Sequence, residues 1–116
     1  MHEFSIAVNI VEIAESTALQ HNATGVSEVE LDVGDASGIH IEALEFAWES
    51  AAASSVLLKK SSLKINPVPL LLECNHCRHQ FSPADLFENC PLCGDNSTMI
   101  LQGRELRVKS IMLADP

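Results

Sequence analysis

The sequence predicts an α+β fold: two helices packed on one face of a three-stranded sheet, with a four-cysteine ribbon domain inserted into it. Three observations carry that prediction. Apolar residues recur at helical spacing over 4–21 and again over 39–54. Between them, over 26–33, they alternate one by one, as in a half-buried strand. All four cysteines fall in two Cys-x-x-Cys pairs, Cys74 with Cys77 and Cys90 with Cys93, twelve residues apart.

In the first helix Ile6, Ile10, Ile13 and Thr17 follow one line, and Ala7, Val11, Ala14 and Ala18 the adjacent one. Asn9, Glu12, Glu15 and Ser16 lie largely opposite, giving a broad apolar face. Glu3 sits in the first turn, where the helix dipole favours negative charge. His21 to Gly25 carries stop signals, with Asn22 or Gly25 able to take a left-handed cap.

In the first strand Val29, Leu31 and Val33 face one way, and Glu28, Glu30 and Asp32 the other, a wet acidic face. Gly34-Asp35-Ala36-Ser37-Gly38 makes a loop. In the second helix Ile41, Leu44, Ala47, Trp48 and Ala51 share a face; Glu42, Glu45 and Glu49 are read as solvated. Leu63 to Asn66 is a second strand, stopped by Pro67 and Pro69. Strand, helix and strand over 26–66 suit a parallel crossover unit. Residues 104–113 form the third strand. Its alternation slips between Val108 and Ile111, which predicts a bulge near Lys109 or Ser110. Residues 1–69 with 104–116 thus make one domain, and 70–103 the inserted ribbon.

The cysteine spacing matches a zinc ribbon. Two such turns facing each other complete a tetrahedron of thiolates with no open position, which suits a structural zinc. Two disulfides, or iron in the same cage, are the alternatives. His76 and His79 beside the pairs are read as solvated. A redox use of the pairs as dithiols is opposed by a saturating metal.

Sixteen acidic residues against seven basic give a net charge of −9. Nucleic-acid phosphates need clustered Lys and Arg, and Lys59-Lys60 is the only such pair in sequence. No apolar run is long enough for a membrane span, and the start lacks a signal-peptide pattern, so the expectation is a cytoplasmic protein. No Gly-x-x-x-x-Gly-Lys run is present and no catalytic triad signature appears, which points away from an enzyme.

The chain begins Met1-His2-Glu3. A bulky second residue is expected to leave Met1 in place with its free amine. That amine and the His2 amide nitrogen close a five-membered chelate ring; the same amide and the His2 imidazole close a six-membered one. A fourth donor, such as the Glu3 amide, completes a square plane, which favours Ni(II) or Cu(II). The plain alternative is a solvated terminal residue. His40, at the start of the second helix, is a further nickel candidate if the two helix starts are neighbours. Glu3 is read as an amide donor or a partner contact.

Met1-His2-Glu3, Ala43-Leu44-Glu45-Phe46-Ala47-Trp48-Glu49, Cys90-Pro91-Leu92-Cys93-Gly94 and Gly103-Arg104-Glu105-Leu106, in this order and spacing, resemble the hydrogenase maturation nickel metallochaperones. The resemblance spans essentially the whole chain. It implies a nickel site at the amino terminus with His2 as a principal ligand, and a separate structural zinc on the four cysteines. It also implies a GTP-binding nickel-insertion partner and the precursor of the hydrogenase large subunit as recipient, with urease maturation in some relatives. One feature departs from certain relatives, in which His follows a Cys-x-x-Cys pair directly. Arg78 and Gly94 stand there instead, so a histidine-for-cysteine exchange at zinc is not expected. The competing reading is an interaction adaptor without a transferable metal.

Overall fold

The computed structural model describes residues 3–114. Met1 and His2 lie outside them. The elements in order are α1 (Glu3–Gln20), β1 (Gly25–Gly34), α2 (Ile41–Ala53), β2 (Ser62–Val68), β3 (Leu71–Cys74), β4 (Gln80–Phe81), β5 (Thr98–Gln102) and β6 (Leu106–Ala114). Two three-stranded sheets form, ordered β2-β1-β6 and β4-β3-β5. The chain divides into two compact units. One is Met1–Asp32, His40–Asn66 and Arg107–Pro116; the other is Val33–Ile39 and Pro67–Leu106.

The first unit holds both helices, packed against each other. Ile6, Ala7, Ile10, Val11, Ala14 and Ala18 of α1 are buried, as are Leu44, Ala47, Trp48, Ala51 and Ala52 of α2 and Val26, Val29 and Leu31 of β1. Removing this apolar surface from water is the main force holding the unit together. The buried stripe of α1 is narrower than the sequence suggests, because Ile13 is 49% exposed. Asn22, with φ 52°, takes the left-handed position after α1, and the Ala23 N–H closes the helix on the Ala18 carbonyl at 3.0 Å.

Cross-strand contacts set the strand directions. Ser62 Oγ donates to the Ser27 carbonyl and Asn66 Nδ2 to Glu30 and Asp32, so β2 runs parallel to β1. Ser27 Oγ donates to the Met112 carbonyl while Arg107 Nε donates to Asp32, so β6 runs antiparallel. The parallel crossover expected over 26–66 is present. Pro67 does not stop β2, which continues to Val68. β2 is a sheet edge, where a residue without an N–H removes no ladder bond. The slip in β6 is visible in its partners: consecutive Lys109 and Ser110 both reach Glu30, at 3.7 and 3.2 Å. Neighbours in a regular strand point to opposite faces, so two on one carboxylate mark a bulge.

The wet face of β1 is cross-linked rather than merely acidic. Asp32, 6% exposed, accepts from Arg107 Nε at 3.0 Å and Asn66 Nδ2 at 3.1 Å. Those bonds, the Arg107 guanidinium foremost, hold its carboxyl below the usual range.

The second unit is the ribbon with the segment Val33–Ile39 joined to it. The Gly34 N–H donates to the Glu105 carbonyl at 2.7 Å, Asp35 to Val68 at 2.9 Å and Ala36 to Gly103 at 2.7 Å. A Cβ on Gly34 would run into the Gly103 carbonyl, so glycine is required there by the close approach of two backbones. β3 is central, pairing Leu72 with Phe81 and with Ile100. Leu70 and Leu72 are buried.

Candidate metal centre

Cys74 ends β3, and Cys90 follows the loop from β4; both are buried, while Cys77 and Cys93 are exposed. The two pairs are folded by one device used twice. The Arg78 N–H donates to the Cys74 carbonyl and the Gly94 N–H to the Cys90 carbonyl, each at 2.9 Å. Each turn closes on a left-handed residue in fifth place, four after its first cysteine: Arg78 has φ 68° and Gly94 φ 76°. The Cys77 N–H also points at Cys74 Sγ, 3.5 Å away. The Asn75 N–H donates to the Ser97 carbonyl at 3.0 Å, tying the first turn to the residue before β5.

This geometry gathers four sulfurs within 4.8 Å of one another. Cys74 Sγ lies 3.5 Å from Cys93 Sγ, and Cys77 Sγ 3.6 Å from Cys90 Sγ. A disulfide needs about 2.05 Å, so neither pairing is one, and that alternative is set aside. A tetrahedron with Zn–S bonds of about 2.3 Å has edges of about 3.8 Å, close to what the sulfurs already span. The donor set fits a closed zinc site, held by Cys74, Cys77, Cys90 and Cys93.

The electrostatics ask for a cation as well. Burial opposes ionisation of Cys90, but the amides of Cys93 and Leu92 outweigh it and set the thiol at about 7. At Cys93 the Asp95 amide favours the thiolate, yet burial and the other three sulfurs push it up to about 12. Cys74 is lowered, chiefly by the Cys77 amide, and Cys77 is raised despite the His79 amide. Four anions in so small a volume repel one another, and a divalent ion removes the conflict. His76 is exposed, and His79 stacks on Phe81 with ring centres 6.0 Å apart, so neither joins the cluster.

Met1 and His2 are outside the described residues. Glu3 opens α1, and its Oε2 accepts the His40 N–H at 3.1 Å. That bond, first among several, lowers the Glu3 carboxyl below its ordinary value. His40 precedes α2 as its N-cap, and its Nδ1 accepts the Ala43 N–H at 3.2 Å. The helix therefore starts two residues later than the pattern suggests. A histidine cap is not a signal that sequence reading looks for, since Ser, Thr, Asp and Asn dominate that position.

Over residues 1–113 the sequence matches the family described as hydrogenase/urease nickel incorporation, metallochaperone, hypA. The chain belongs to this HypA family. It is 40% identical over 111 residues to the hydrogenase maturation factor HypA of Picosynechococcus, covering 96% of this chain and 97% of that one. It is 42% identical over 113 residues to the HypA of Parabacteroides distasonis, covering 97% of each. Two solution structures share the HypA fold. The Ni metallochaperone HypA from Helicobacter pylori superposes with a TM-score of 0.70 at 26% identity over the whole of both chains. A second HypA protein gives 0.75 at 27% identity, over 100% of this chain and 98% of that one. The chain is thus a nickel metallochaperone of hydrogenase maturation, with a four-cysteine centre able to hold a metal.

Proposed function

We propose that the chain carries Ni(II) at its amino terminus and passes it on without catalysing a reaction. The ligands are the Met1 amine, the His2 amide and imidazole and the Glu3 amide, while zinc stays on the four cysteines as a structural ion. The observation that supports this reading most is the bond from the His40 N–H to the Glu3 carboxylate. It anchors the residue beside His2 to the start of α2. The same bond sets the His40 backbone against the Glu3 carboxylate, which supports counting His40 as a further candidate ligand. Its Nδ1 is engaged by the Ala43 N–H, so the neutral ring carries its proton on Nε2. A nickel ion recruiting His40 therefore has to displace the cap or reverse the tautomer, a ligand suited to transfer rather than storage.

Square-planar nitrogen donors select nickel over zinc, which has no geometric preference. Release follows protonation, because nickel binds only the deprotonated amine and imidazole, whose reference pKa values are about 7.7–8.0 and about 6.5. The receiving proteins in this reading are a GTP-binding nickel-insertion protein and the hydrogenase large-subunit precursor, with urease a further client, all in the cytoplasm. Among the described residues no helix is long and apolar enough to cross a membrane.

Nickel titration of native, amine-acetylated and His2→Ala protein tests the proposal, with zinc content measured in parallel. Both changes are expected to abolish stoichiometric nickel binding while zinc and helix content stay constant. Undiminished nickel binding in either would overturn it.

A further inference from the structure

The loop between β4 and β5 holds Phe87 in solvent, 90% exposed. Two bonds keep it there: the Phe87 N–H donates to Asp85 Oδ1 at 2.8 Å, and the Ala84 N–H to Glu88 Oε1 at 3.0 Å. The loop has a set shape with an aromatic ring on its outside. Beside it lies a cavity of about 240 Å³, lined by Leu70, Pro83, Leu86 and Phe87, with Asp35 and Asp85 also in its wall. That volume is below the roughly 300–1,000 Å³ of small-molecule sites and suits one side chain.

The lining supplies acceptors and no side-chain donor or cation. No Lys or Arg occurs between Arg78 and Arg104, whereas Asp85, Glu88 and Asp95 do. An anion finds nothing to hold it, and an anionic lipid surface is repelled. An apolar notch with carboxylates in its wall matches an amphipathic cation, whose methylenes pack while its head stays polar.

We infer that this notch binds one Arg or Lys side chain of a partner protein's peptide segment. The aliphatic stem packs on Leu70, Pro83, Leu86 and the Phe87 ring, and the head pairs with Asp35 and Asp85. Asp85 Oδ1 keeps the loop turned, leaving Oδ2 for the ligand. Arg fits better than Lys, because its planar fork bridges carboxylates and stacks on an aromatic face. The notch shares no residue with the proposed nickel ligands and rests on its own lining.

The test is a ¹H–¹⁵N titration of the zinc-loaded full chain with the capped tetrapeptide Gly-Arg-Leu-Gly, against Gly-Glu-Leu-Gly. The Arg peptide should move the amides of Ala36, Ala84 and Leu86 saturably, and the Glu peptide should not. Asp35→Asn with Asp85→Asn keeps the turn acceptor and should weaken binding about three- to tenfold. Phe87→Ser should weaken it independently. Equal response to both peptides, no response at those amides, or the same shifts on concentrating the protein alone would each overturn the proposal. The last result would make a second copy the occupant.

Discussion

At the scale of the residue, the metal turns show how far position outweighs identity. Arg78 and Gly94 occupy equivalent places with nearly the same φ, 68° and 76°. A non-glycine residue there costs about 1–2 kcal/mol in left-handed strain. Arg78 recovers little of it from its exposed contact with Glu73 at 3.5 Å. Arg78→Gly should therefore strengthen the ribbon, by up to about 1 kcal/mol once the extra freedom of unfolded glycine is counted. Gly94→Ala should weaken it by about 1 kcal/mol, through strain alone, since a Cβ there meets nothing within 4 Å. Chelator competition for a metal loaded on the four cysteines measures both; an unchanged order of affinities would refute the shared-turn account. Spacing made the four cysteines plain in the sequence, whereas the left-handed arginine was hidden, because no local pattern marks a strained non-glycine.

At the scale of the element, periodicity carried most of the information. Both helices and β1 follow from repeats of apolar residues. Departures arise where tertiary context decides. Ile13 fits the apolar line of α1 yet stays half exposed, and β2 passes through Pro67 because it is an edge. β3 and β5 hardly alternate in sequence, so the ribbon's sheet was not legible beyond its cysteines. The salt link between β1 and β6 gives a pH prediction. Arg107 depresses the Asp32 carboxyl below its reference value of 3.8, so its stabilising contribution is complete above that value. It is lost as pH falls through the lowered folded value. Denaturant unfolding followed by Trp48, the only tryptophan and a buried one, should show Asp32→Asn weaker than the parent by a constant margin from pH 7 to 5. The margin should shrink below 3.8. A gap that widens in acid would contradict the assignment.

At the scale of the whole molecule, the two units divide the work. Both helices and Trp48 lie in the first, and all four cysteines in the second. Removing the metal should therefore unfold the ribbon while far-UV circular dichroism keeps its helical signal, because the cysteine quartet is far too crowded to stand unneutralised. Loss of helix in step with zinc would show instead that the units fold as one. Metal uptake by the four cysteines near neutral pH should also release protons, since burial and the neighbouring sulfurs push Cys93 up to about 12. The sequence offers no sign that Val33–Ile39 groups with Pro67–Leu106: a seven-residue loop carries no compositional mark of which neighbour it will adhere to.

The backbone seam at Gly34 and Gly103 has a practical outcome for anyone grafting ribbons among relatives. Two stretches of chain far apart in sequence meet there with less than a methyl group to spare. A chimera that exchanges only 70–103 keeps one host's glycine opposite another's carbonyl, and any mismatch in path becomes a collision. The transplantable cassette is discontinuous, and both pieces have to move together.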